Sequence, residues 1–194
     1  MGILITNDSN QVVELESPIY NLALDNKPSE TSSLVKLSYT MLSDSQDGVD
    51  IDATGPSLMY ERQIISDSFI SYYASVSLLD VEASNGAITI DSVNSTGLNL
   101  GLKFNLRLTE LDSYSEGLEN GMPYLRLGWE RVEFDTTTQF RQLTNESLNN
   151  SKSGATFSFG YEKAVGEFGA FAEYTRHSNT WEDSSITLGG YLKF

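Results

Sequence analysis

The sequence predicts an all-β protein, an antiparallel up-and-down transmembrane β-barrel of about eight strands, with ten strands as the alternative. Three observations lead there. Apolar residues recur with a period of two rather than 3.6, over segments long enough to cross a membrane. Short and long connections roughly alternate between those segments, as in a barrel with turns at one end and loops at the other. The polar faces carry cations and carboxylates in near balance, which a closed interior requires because an unpaired buried charge is costly.

Residues 1–33 fall outside the pattern. The stretch "QVVELESPIYNLALDNKP" alternates in part, but Pro18 and Pro28 interrupt it, and proline cannot donate to a strand ladder. It reads as a periplasmic or partly ordered N-terminal segment. Two strands drawn from it would make the ten-stranded alternative. The barrel is expected over residues 34–194.

Within that span, "LVKLSYTML" sets Val35, Leu37, Tyr39 and Met41 opposite Lys36, Ser38 and Thr40. "SLMYERQII" has apolar residues on both faces, with Glu61 at a polar position. "FISYYASVSLL" places Ile70, Tyr72, Ala74, Val76 and Leu78 against Ser71, Tyr73, Ser75 and Ser77. "GLNLGLKFNLRL" is the clearest strand: Leu98, Leu100, Leu102, Phe104, Leu106 and Leu108 share one face, and Asn99, Gly101, Lys103, Asn105 and Arg107 share the other. A transmembrane strand needs about 9 to 11 residues against about 5 or 6 for an ordinary one, and this segment meets the longer figure. "YLRLGWE" and "ATFSFGYE" follow, each with aromatics on the apolar side and Arg126, Glu130 or Glu162 on the polar side. "FGAFAEYT" is mixed and carries Glu173; "SSITLGGYLKF" sets Ile186, Leu188, Leu192 and Phe194 against Thr187, Gly189, Tyr191 and Lys193. No segment carries a helical period.

The expected links are 43–56, 66–68, 83–96, 109–121, 135–154, 165–167 and 177–183, rich in Ser, Asn, Asp and Gly as solvated loops are. Asp44, Asp47, Asp50 and Asp52 crowd the first. In a membrane barrel the apolar stripe meets lipid and the polar face points inward, so Lys36, Glu61, Lys103, Arg107, Arg126, Glu130, Glu162 and Glu173 form the expected lumen network. Trp129 and several tyrosines lie near strand ends, where interfacial aromatic girdles sit.

Composition narrows the function. A formal net charge of -15 argues against nucleic-acid binding, which needs basic clusters. Cysteine is absent and His177 is the single histidine, which removes thiolate chemistry and His-rich metal sites. No apolar run suits a transmembrane helix. The beginning, "MGILITNDSN", lacks the basic and apolar regions of a signal peptide and reads as a chain whose signal was removed. The acidic run could bind calcium through clustered oxygens, but its spacing is not that of an EF-hand loop, and a solvated loop is the simpler reading. Glu130, Glu162 and Glu173, with arginines on neighbouring strands, read as structural lumen charges rather than paired catalytic carboxylates. The scattered glycines form no phosphate-binding pattern; they make room in a narrow barrel.

The end of the chain is the most specific motif. In "TLGGYLKF", Thr187, Gly189, Leu192 and Phe194 give polar-x-Gly-x-x-apolar-x-aromatic. This resembles the C-terminal β-signal of Gram-negative outer-membrane proteins. With the alternating strands before it, the segment resembles small outer-membrane barrels of the OmpA, OmpX or attachment-invasion type. The resemblance implies the outer membrane as location, outer-membrane lipid and lipopolysaccharide as surroundings, and the barrel-assembly machinery as a partner during biogenesis. It implies no cofactor and no metal. The expected role is a non-enzymatic barrel presenting acidic extracellular loops for adhesion, surface stabilisation or binding of a surface or periplasmic protein. A second resemblance supplies the alternative. "RHSNTWED" is similar to the end of outer-membrane lipid A deacylases, which use a Ser, a His and an acid; in that family one residue separates His from Ser, whereas here His177 and Ser178 are adjacent and would face opposite sides of a strand. A narrow pore is the remaining alternative, disfavoured because eight strands leave room only for side chains.

Overall fold

The computed structural model describes residues 4–6, 12–14, 31–46, 48–65, 68–106, 114–135, 151–178 and 184–194. The chain forms two compact units, Met1–Glu30 and Thr31–Phe194. In the first, β1 (Leu4–Thr6) pairs antiparallel with β2 (Val12–Glu14). These two strands form a sheet of their own, so the ten-stranded alternative is ruled out.

The second unit is a closed barrel of eight strands. In chain order they are β3 (Ser33–Gln46), β4 (Val49–Gln63), β5 (Ile70–Ser84), β6 (Thr89–Asn105), β7 (Met122–Phe134), β8 (Ser151–Val165), β9 (Phe168–His177) and β10 (Ser184–Lys193). Each pairs antiparallel with its neighbour in sequence, and β10 closes on β3 in a register running from Ser184↔Ser43 to Lys193↔Leu34. Closure leaves no open edge, the condition for a sheet in hydrocarbon, where unpaired backbone groups find no water. At the lower rim the backbones of Ser33 and Phe194 exchange hydrogen bonds of 2.8 and 3.0 Å. The β4–β5 ladder is interrupted at Gly55 and Pro56, between Thr54↔Asp80 and Ser57↔Ser77; proline has no N–H to give.

The barrel is inside out over its lower and middle parts. Leu37, Leu58, Val76, Leu102, Leu127, Phe159 and Leu188 point outward and stay exposed, while Lys36, Glu61, Lys103, Arg126 and Glu162 point inward and are at most 1% exposed. On β5 the outward apolar belt spans residues 70–78, close to the roughly 9 to 11 residues of a membrane-crossing strand. Trp129 stands on the outer face at the top of the belt.

Above the belt the two faces exchange character. On β4 and β5 the outward positions become Asp50, Asp52, Asp80 and Glu82, and the inward ones Val49, Ile51, Ala53, Leu79, Val81 and Ala83. With Leu42, Val93, Val132 and Phe134 these inward residues pack into a buried apolar core. This corrects two expected links. Most of 43–56 and 83–96 is strand, and the hairpins turn at Gly48, whose φ is +79°, and between Asn85 and Ile88. Acid-rich sequence there marks the outer face of a strand rather than a loop, because apolar residues alternate with the acids and pack inside.

The expectation of no helix also fails. Within the 109–121 link lies α1 (Tyr114–Asn120). Two turns are too few to form alone in water, so tertiary packing decides. Leu118 is fully buried against Leu34, Met122, Ala164, Phe171 and Tyr191. Gly121, at φ +92°, ends the helix in the left-handed conformation that favours glycine.

Candidate functional site in the barrel interior

The interior is filled in layers. Leu118 and its neighbours close the lower mouth. Above them lies an ion network drawn from six strands. Lys36 Nζ is 3.0 Å from Glu61 Oε2 and 2.6 Å from Glu162 Oε2. Lys103 Nζ is 2.8 Å from Glu61 Oε1 and pairs with Glu162 as well. Arg126 reaches Glu173 at 2.7 Å and Glu61 at 3.5 Å. Three cations face three carboxylates, so the buried layer is neutral and each charge has a partner, which offsets the loss of hydration. The Tyr124 ring sits among the cations, with Lys103 Nζ 4.6 Å and the Arg126 guanidinium carbon 5.0 Å from its centroid, and Phe171 and Tyr191 flank Lys36. Gly160 and Gly169 leave the space these rings occupy, since a Cβ on either would overlap the Tyr124 or Tyr191 ring.

The structure therefore brings together Lys36, Glu61, Lys103, Arg126, Glu162 and Glu173. Arg107 lies outside the described residues. Glu130 stands in a different cluster. Its Oε1 is 2.7 Å from His177 Nδ1, and His177 Nε2 is 2.9 Å from Ser185 Oγ. His177 and Ser178 face opposite ways, as their adjacency implies: His177 points inward, while the Ser178 hydroxyl accepts a hydrogen bond from the Ala155 N–H at 3.0 Å. Adjacent residues on a strand face opposite ways, which is the physical reason. Ser185 carries no signal of its own in the sequence. The β9–β10 pairing puts it opposite Thr175.

A cavity of about 80 Å³ lies between the ion network and the upper core, with Glu130, His177, Ser185, Arg126 and Asn99 on its walls. Nor do the acids of the run weighed as a calcium ligand set converge. Asp44 points inward, Asp50 and Asp52 point outward, and Asp47 is outside the described residues. Among the described residues no three His, Asp or Glu side chains are placed to hold a metal ion.

The terminal motif spans both faces of β10. Thr187 points inward, with its hydroxyl 3.0 Å from that of Thr40. Gly189 lies at an inward position where a Cβ would strike β3 and Phe171. Leu192 and Phe194 point outward at 40% and 65% exposure, and Tyr191 points in.

No protein-family model matches the chain, and no curated protein matches it. Solved structures do. OprG, an outer-membrane protein of Pseudomonas aeruginosa, aligns with a TM-score of 0.58 at 10% identity over 86% of this chain and 97% of its own. Ail, the attachment invasion locus protein of Yersinia pestis, crystallised with the heparin analogue sucrose octasulfate, aligns with a TM-score of 0.52 at 17% identity over 85% of this chain and 99% of its own. The likeness is one of fold: the chain has the closed, eight-stranded, all-antiparallel architecture of the small outer-membrane β-barrels.

Proposed function

We propose that the chain sits in the outer membrane of a Gram-negative bacterium and holds an acidic wall of sheet above the bilayer for a cationic partner. The exchange of faces on β4 and β5 carries this reading. Asp52 and Glu82 are direct cross-strand neighbours on the outer face, with Asp50 and Asp80 beside them. Like charges placed opposite each other destabilise a sheet, so their concentration favours a role in recognition over one in stability. The same charge makes a sulfated polyanion, the ligand class in the Ail crystal, a poor fit for this surface. Basic segments on a surface protein fit better.

Oligolysine binding to the refolded protein in lipid nanodiscs tests the reading. Replacing Asp52 and Glu82 by lysine should abolish binding, and added salt should weaken the wild-type interaction. Neutralising Glu119 and Glu167 at the opposite end should leave it intact. Equal losses from both pairs would sink the proposal, since the effect would then follow net charge alone.

We assign Thr187, Gly189, Leu192 and Phe194 to recognition by the barrel-assembly machinery. Leu192 and Phe194 present apolar groups outward at the rim where β10 meets β3, and Ser33 already bonds the Phe194 backbone there. Deleting Phe194 should lower the yield of assembled protein in cells far more than the yield of refolding in detergent. A deletion that harms both equally points to a purely structural end.

A further inference from the structure

We propose that Ser185, His177 and Glu130 form a hydrolytic site for esters of short acyl groups, facing a cavity inside the barrel. The acidic wall uses the outer face and this site the inner one, so either can fail without the other.

The carboxylate of Glu130 only accepts hydrogen bonds, so at 2.7 Å the His177 Nδ1–H donates to it. In the neutral ring that leaves the lone pair on Nε2, and the Ser185 hydroxyl donates to it at 2.9 Å. This is the acid–base–nucleophile order that activates a serine, recognised by geometry rather than by position in sequence. Three separate strands supply it: β7, β9 and β10. The intervening strand β8 places Gly154 opposite Glu130, so no side chain from that position intrudes between acid and imidazole.

Placement supports chemistry over a mere tether. His177 is the last residue of β9 and Ser185 the second of β10, at the top of the low side of the barrel wall. The cavity of about 80 Å³ opens in front of all three, with Leu79 and Val132 on its apolar part. Its size suits a short acyl group. Among the described residues Arg126 is the one Lys or Arg lining it, and its guanidinium is held 2.7 Å from Glu173.

In the reaction Ser185 Oγ attacks the ester carbonyl carbon as its proton passes to His177 Nε2. The C–O bond to the alcohol breaks, and that proton leaves with the alkoxide. A water deprotonated by the same nitrogen then adds to the acyl-serine, releasing the carboxylic acid and restoring the Ser185 hydroxyl.

The full chain refolded in detergent, treated with a small fluorophosphonate and separately with p-nitrophenyl acetate, tests this. Peptide mapping should place the phosphonyl adduct on Ser185, and wild type should release p-nitrophenolate above the solvent rate. Ser185→Ala and His177→Ala should lose the label and slow release by roughly a hundredfold or to background, whereas Ser178→Ala should keep both. Glu130 acts as a positioning residue, so Glu130→Gln should slow release and Glu130→Asp should recover part of it. If Ser185→Ala does not fold, Ser185→Cys should take iodoacetamide faster with His177 present than with His177→Ala. An unlabelled Ser185 in folded wild type, or release that Ser185 variants leave unchanged, overturns the proposal and leaves the three residues a tether between strands.

Discussion

Lys103→Ala should destabilise the barrel by about 3 to 5 kcal/mol, the loss typical of breaking a buried ion pair and stranding its partner. Lys103 lies against both Glu61 and Glu162, and all three are buried to within 1% of full burial. Without it the two carboxylates keep Lys36 and the longer contact of Glu61 to Arg126 at 3.5 Å. The ring of Tyr124 also loses the cation 4.6 Å from its centroid. Unfolding by urea of the protein in lipid vesicles gives the number. The double replacement Lys103→Met with Glu162→Gln should cost clearly less than the sum of the two single changes, because neutrality is restored. Simple additivity would mean that the charges do not act as one network.

Arginine at Leu102 or Leu127 should cost about 2 to 4 kcal/mol, the penalty for a cation on the outer face at mid-bilayer depth. The two leucines are direct partners across the β6–β7 ladder, and both are exposed on the outer face of the barrel. Arginine at Asn94 should cost little. That residue also faces outward on β6, but above the belt, paired with Asp80. The same vesicle titration reads all three variants. Equal tolerance at Leu102 and Asn94 would refute the position of the belt.

Period-two alternation made the eight strands legible, and the final strand shows why. Ile186, Leu188, Leu192 and Phe194 face outward and Thr187 and Tyr191 inward, as their spacing requires. The height of the strands was not legible from a rule that sends apolar residues outward. "LLDVEAS" has an apolar residue on each face at Leu78 and Leu79 and then reverses. Such a stretch looks irregular until the change of solvent from lipid to water is allowed for. The buried charges were legible as a set because only balance makes them tolerable inside. Their division was not. Glu130 and Glu162 look alike in sequence, yet the registers of β7 on β8 and of β8 on β9 send one to His177 and the other to Lys36 and Lys103. Helix α1 escaped because one buried leucine sets no period.

The reversal at Leu78 and Leu79 works as a draught mark. A shift of one residue pair along a strand is about 7 Å. Pushed down by that much, the barrel would draw Asp80 and its neighbours toward hydrocarbon; lifted, it would strip lipid from Leu78 and Leu98. Both displacements are opposed, so the chain carries a gauge of bilayer thickness in its own side chains. In a membrane thicker than the belt, the lipid must thin around it or the barrel must tilt, and the protein will partition toward bilayers that ask for neither.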